Sequence, residues 1–189
     1  MTDELARRIE ASFEKDDDQL EEDLPELLDD IDGQADELVR EHPALVSRLL
    51  GRMQEMDIAE FVSENPETAD QFQELLWAGV RVLAENDDEV SEQITEDISV
   101  NFEADDCPMT GHLRTDADAG TVTGGSGHLD DSDLTITGPA DTLVGLITGG
   151  VDPIQGFMQQ KYEMDGPVHK GTRLAPIMNS LSEKAATPQ

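Results

Sequence analysis

Basic residues are scarce in this chain: 12 Lys and Arg stand against 44 Asp and Glu, and the net charge is −32. That balance excludes two broad classes of partner. Nucleic acids are bound largely by cations that displace counterions from phosphate, so a chain with this excess of carboxylate is not expected to bind them. An anionic membrane surface repels it for the same reason. The charge does fit very high salt. At about 1 M ionic strength the Debye length falls to about 3 Å, so dense carboxylates no longer repel one another yet still hold water at the surface. The low lysine content agrees with a halophilic protein of haloarchaeal type.

Cysteine is nearly absent. Cys107 stands alone and excludes an internal disulfide framework. Long apolar runs are missing too. The longest patch, Leu75 to Ala84, is interrupted by Arg81 and falls short of the roughly 20 residues a membrane span needs. The opening MTDELARR has no apolar signal-peptide core, and the closing ATPQ matches no address motif. A cytoplasmic location without stable membrane insertion is therefore expected. Catalytic signatures are lacking as well: there is no G-x-S-x-G elbow, no H-E-x-x-H and no phosphate loop. The glycines at 124, 125 and 127 are not followed by Gly-Lys-Ser/Thr and a helix, so they read as a bulge or a close backbone approach. Carboxylates are so numerous that no acid–base pair stands out. Cys107, His112 and His128 could meet across neighbouring strands, but their spacing fits no zinc signature, and Cys107 reads as packing in a turn. No catalytic residue, metal or cofactor is expected.

What is present is apolar periodicity. The chain is long enough, at 189 residues, to bury a real core, and its first half reads as helix. Glu4 to Lys15 form a weak helix. In Gln19 to Asp32, Leu20, Leu24, Leu27, Leu28 and Ile31 fall at helical spacing, with Pro25 placed in the first turn. Leu38, His42, Leu45, Val46, Leu49, Met53 and Met56 continue a stripe that Pro43 breaks or restarts. Asn65-Pro66 reads as an N-cap with proline at the first helical position, followed by Phe72, Leu75, Leu76, Gly79 and Leu83 on one side and a stop at Asn86–Asp88. The period then changes to two. Ile94, Ile98, Val100, Phe102 and Ala104 alternate with Ser99, Asn101 and Glu103 in a half-buried strand. Met109 to Arg114 and Thr121 to Leu129 read as further strands, with turns at Asp116–Gly120 and Asp130–Ser132.

The stretch from Leu134 onward is the most ordered in pattern. Leu134 and Ile136 sit on one face of a strand. Pro139 opens a helix with Leu143, Leu146 and Ile147, which Gly149-Gly150 stops. Asp152-Pro153 caps a second helix with Ile154, Phe157 and Met158. Tyr162 and Met164 alternate with Lys161, Glu163 and Asp165 in a short strand. Gly166-Pro167 turns the chain toward a last amphipathic helix bearing Leu174, Ile177, Met178 and Leu181. With Thr137-Gly138, Ala140-Asp141-Thr142-Leu143, Gly149-Gly150-Val151-Asp152-Pro153, Phe157-Met158, Lys161, Met164 and Gly166 in this order, the region resembles the sterol carrier protein 2 family. Two positions depart from the family pattern: Gln160 replaces the usual Gly, and Pro167 the usual Asp.

The resemblance implies an α+β layer protein, with a sheet of about five mainly antiparallel strands, helices on one face, and an apolar tunnel between the layers. It sets the boundaries as an α-helical extension over residues 1–64, a lipid-binding domain over 65–183 and a disordered tail over 184–189. It also implies non-enzymatic binding or transfer of a lipid, whether sterol-like, isoprenoid, fatty acyl or acyl-CoA. A module without ligand, structural or oligomeric, is the alternative. Methionine adapts to many shapes and suits a lipid-binding wall. The expected lining is Ile98, Val100 and Phe102 with Leu134 and Ile136 on the sheet. It continues through Leu143, Leu146, Ile147, Ile154, Phe157 and Met158 on the two helices, Tyr162 and Met164 on the short strand, and Leu174, Ile177, Met178 and Leu181 on the last helix, which would gate the tunnel. Lys161, Lys170, Arg173 and Lys184 either hold an anionic headgroup or balance nearby carboxylates. The apolar stripes before Asn65 need a partner, which leaves packing on the sheet, a separate bundle or a homodimer open.

The charge pattern carries a test. The thermal midpoint should rise steadily between about 0.1 M and about 2 M KCl as screening removes carboxylate repulsion. A midpoint that is flat or falling over that range contradicts the halophilic reading.

Overall fold

The computed structural model describes residues 2–148 and 151–186. Seven helices come first: α1 (Thr2–Ser12), α2 (Asp17–Ile31), α3 (Ala35–Glu41), α4 (Pro43–Glu55), α5 (Ile58–Glu64), α6 (Pro66–Asn86) and α7 (Asp88–Gln93). The sheet strands are β1 (Ile98–Ala104), β2 (Thr110–Asp116), β3 (Thr121–Ser126), β4 (Leu134–Gly138) and β5 (Glu163–Asp165). Between β4 and β5 lie α8 (Ala140–Thr148) and α9 (Pro153–Met158), and α10 (Val168–Ala186) closes the chain. The fold is α+β, with a five-stranded mixed sheet in the order β3-β2-β1-β4-β5. Only β1 and β4 run parallel; the other neighbours are antiparallel.

Helix α6 organises the layers. Phe72, Leu75, Leu76, Trp77, Ala78, Val80, Val82 and Ala84 are all buried, more than one face of a helix can hold. A helix apolar nearly all round is covered on more than one side. On one side α6 lies on β3, while α2, α3, α4 and α5 pack against it as well. The close seat on the sheet has a specific cause. A Cβ at Gly124 would overlap the Trp77 indole, so the glycine run marks a close backbone approach. The stripes of α1–α5 are thus buried within the chain, in one cluster running from Leu5 to Leu181.

Several elements differ from expectation. Pro25 lies in the middle of α2, not its first turn. Leu20 and Leu24 before it and Leu27, Leu28 and Ile31 after it are all buried, and that packing outweighs the lost hydrogen bond. The Asn65 side chain caps nothing ahead of it; its Nδ2 donates back to the Phe61 carbonyl at 3.2 Å. The acids after Asn86 start a helix as well as stopping one: Asp87 Oδ1 accepts from Glu89 N at 2.9 Å and Val90 N at 3.3 Å, capping α7. Ile94 follows that helix and is not part of β1. Strand β3 stops at Ser126 instead of Leu129, because Leu129 N donates to Asn101 Oδ1 at 2.8 Å and the loop folds over β1. Asn101, on the polar face of β1, is buried under that loop. The tail boundary at residue 184 is also too early: α10 continues to Ala186, and residues 187–189 are outside those described.

The contact between α6 and β3 is open to test. Gly124→Ala should cost about 1–3 kcal/mol by overpacking against Trp77. Gly51→Ala, at an exposed position of α4 where a Cβ meets nothing within 4 Å, should stabilise by about 0.5–1 kcal/mol. Chemical denaturation of both variants checks the contrast; a neutral Gly124→Ala contradicts the close approach.

Candidate functional site

The sheet register prepares one apolar row. Phe102 on β1 pairs with Ile136 on β4, and Ile136 pairs with Met164 on β5. With a side-chain period of two, the three residues stand side by side on one face. The neighbouring row, Val100 and Leu134, is paired in the same way but is fully buried.

Over the Phe102–Ile136–Met164 row there is a cavity of about 450 Å³. This is within the range of small-molecule sites. Leu146 of α8, Pro153, Ile154, Phe157 and Met158 of α9, Tyr162, and one face of α10 from Val168 through Gly171, Thr172, Leu174, Ala175, Pro176 and Met178 to Asn179 supply the rest of its wall. Of the residues expected from sequence, the cavity brings together Phe102, Ile136, Leu146, Ile154, Phe157, Met158, Tyr162, Met164, Leu174 and Met178. Ile98, Val100, Leu134, Leu143, Ile147, Ile177 and Leu181 are not in its wall; they are buried in the core behind it. Helical stripes show which face turns inward but not which inward residues meet other side chains and which meet space.

Short helix α9 forms the mouth. Asp152 Oδ1 accepts from Ile154 N at 2.9 Å and Gln155 N at 2.8 Å, which fixes the start of α9. The Tyr162 hydroxyl donates to the Pro153 carbonyl at 2.6 Å, tying β5 to that same end. Burial pushes the Tyr162 phenol up, with Asp152 adding to the effect. Its ring lies 6.1 Å from that of Phe157. The large hydrophobics left exposed among the described residues are Ile154 (56%), Phe157 (45%), Met158 (77%) and Val168 (62%). All four border this cavity. Gln160, where the family pattern has Gly, holds a left-handed φ of 56° directly after α9, a conformation that costs a side-chain-bearing residue about 1–2 kcal/mol. The turn at Gly149-Gly150 lies outside the described residues.

Pro153, Val168, Gly171, Thr172, Ala175, Pro176 and Asn179 also line the cavity and were not anticipated. Most belong to α10, which starts six residues before Leu174, the first residue of the apolar stripe expected there. Small residues at helical spacing, Gly171 and Ala175, were the available signal. They leave space open where a leucine would fill it. A Cβ at Gly171 would also crowd the Met164 sulfur.

Two of the four basic residues have carboxylate partners. Lys170 Nζ lies 2.7 Å from Asp133 Oδ1, and Arg173 Nε 3.2 Å from Glu96. The Lys170 ammonium, assisted by the Ser99 N–H and hydroxyl, holds the Asp133 carboxyl below its usual range despite partial burial. This pair clips the start of α10 to β4. Lys161 is exposed after α9, and the Lys184 side chain is outside those described. His112 Nδ1 and His128 Nε2 lie 3.0 and 3.3 Å from the carbonyls of Gly127 and Phe102. Burial pushes the Cys107 thiol up, away from nucleophilic character. Among the described residues no group of three or more His, Cys, Asp or Glu could hold a metal ion.

Comparison with known proteins places residues 82–179, just over half of the chain, in a match to the SCP-2 sterol transfer family. No curated protein matches the sequence. Among solved structures, the apo form of sterol carrier protein 2 from Yarrowia lipolytica shares 17% identity, with a TM-score of 0.44 over 60% of this chain and 94% of that one. The UbiJ-SCP2 ubiquinone synthesis protein shares 12%, with a TM-score of 0.45 over 62% and 98%. The sec-alkylsulfatase Pisa1 from Pseudomonas sp. shares 16%, with a TM-score of 0.41 over 93% of this chain and 29% of that one.

Proposed function

Since the chain belongs to the SCP-2 sterol transfer family, we propose that it binds one lipid tail in the cavity over Phe102, Ile136 and Met164 and carries it without chemical change, as a cytoplasmic protein working at high salt. The cavity is the inner part of a lipid tunnel, and α9 with the start of α10 forms its lip. One observation carries this reading. In a chain of net charge −32, the large apolar side chains left in water among the described residues surround the mouth of one apolar cavity. Surface apolar residues gathered in this way mark a binding site rather than chance exposure.

The energetics need no special contact. Each methylene removed from water contributes about 0.8 kcal/mol, so burying a dozen contributes on the order of 10 kcal/mol before the costs of ordering. The protein supplies volume, an apolar wall and a lip that can part. Among the described residues no helix is long and apolar enough to cross a membrane.

Phe157 gives the direct test, because its half-exposed position on α9 should let aspartate be tolerated without unfolding. Phe157→Asp should weaken uptake of the uncharged dye Nile red at least about tenfold, since burying one aromatic ring contributes about 1.5–3 kcal/mol. Dye fluorescence, with circular dichroism as the fold control, measures it. Undiminished uptake by a folded variant rejects this wall.

A further inference from the structure

The polar inventory of the cavity bears on which lipids it admits. No residue of its wall carries a charged side chain. Its hydroxyl donors are already committed: Tyr162 Oη donates to the Pro153 carbonyl at 2.6 Å, and Thr172 Oγ1 to the Val168 carbonyl at 3.0 Å. The Asn179 side chain or main chain is engaged as well. Acceptors are in better supply. Pro176 has no N–H for the Thr172 carbonyl four residues earlier in α10, and both residues border the cavity.

The surroundings do not restore a cation. Lys170 and Arg173, the bases of α10 nearest the mouth in sequence, face Asp133 and Glu96. Asp152, Glu163 and Asp165 adjoin lining residues in the chain and are exposed, and exposed Lys161 is set among them. An ionised carboxylate or phosphate drawn into such a wall loses its water without gaining donors or a counter-charge, a cost of several kcal/mol.

From this we infer that the cavity selects uncharged lipids, such as long-chain alcohols, and discriminates against fatty-acid anions and acyl phosphates of the same chain length. The inference rests on the lipid-binding reading above and narrows its ligand class.

A matched pair tests it: dodecan-1-ol and dodecanoate, which share one hydrocarbon chain, each displacing Nile red from the full chain in about 1 M KCl, where the long-range field of the protein is screened to a few Å. The alcohol should displace the dye at a concentration at least tenfold lower. Thr172→Lys, at an exposed position of the wall, should narrow that gap by strengthening dodecanoate relative to the alcohol. Equal or tighter binding of dodecanoate by the unaltered protein overturns the selectivity and leaves lipid binding intact. A gap unmoved by Thr172→Lys overturns its electrostatic origin. Dye that binds but yields to neither compound, or dye that does not bind at all, overturns the lipid-binding reading and this inference with it.

Discussion

Protein interiors pack as densely as organic crystals, so a hollow of about 450 Å³ beside the core must be held open by what surrounds it. Three restraints do so. The register of β1, β4 and β5 fixes Phe102, Ile136 and Met164 as a floor. The Lys170–Asp133 pair anchors the first turn of α10 to the strand carrying that floor. The Asp152 cap and the Tyr162–Pro153 hydrogen bond set the direction of α9. With its ends fixed, α9 presents Ile154, Phe157 and Met158 around the opening, and small residues of α10 face the space those side chains leave.

The N-terminal helices contribute indirectly. By covering α6 on the side away from the sheet, they let that helix be apolar nearly all round and press it down on β3 through Gly124. The far half of the sheet is therefore closely packed, with only about 10 Å³ of space beside Trp77 and Gly111, and the large cavity lies in the half near β5. Loop closure over Asn101 seals the opposite face of β1. The protein is thus closely packed on one side of β1 and hollow on the other.

Most of this architecture is legible in the residues. Alternation in Ile98–Ala104 gives β1, and the cap Asp152 with Pro153 gives α9. The order of turns from Leu134 to Gly166 carries the family resemblance. The cavity wall is legible only in part, for a physical reason. Periodicity reports burial, and Val100 and Leu134 are as periodic as Phe102 and Ile136, yet only the latter pair meets space. The difference lies in what stands opposite, which depends on Gly171, Ala175 and Pro176 of a helix whose first turns contain little large apolar side chain to announce them. Likewise, Asn101 has the pattern of a solvent-facing residue, and its burial follows from a loop that folds back between β3 and β4.

The central claim is that the hollow holds a lipid. Native mass spectrometry of the full chain, purified at high salt and transferred to a volatile buffer, addresses it most directly. The account predicts one added mass per chain, of lipid size, that organic extraction removes and reincubation with lipid restores. A bare chain that takes up no lipid offered to it would contradict the account.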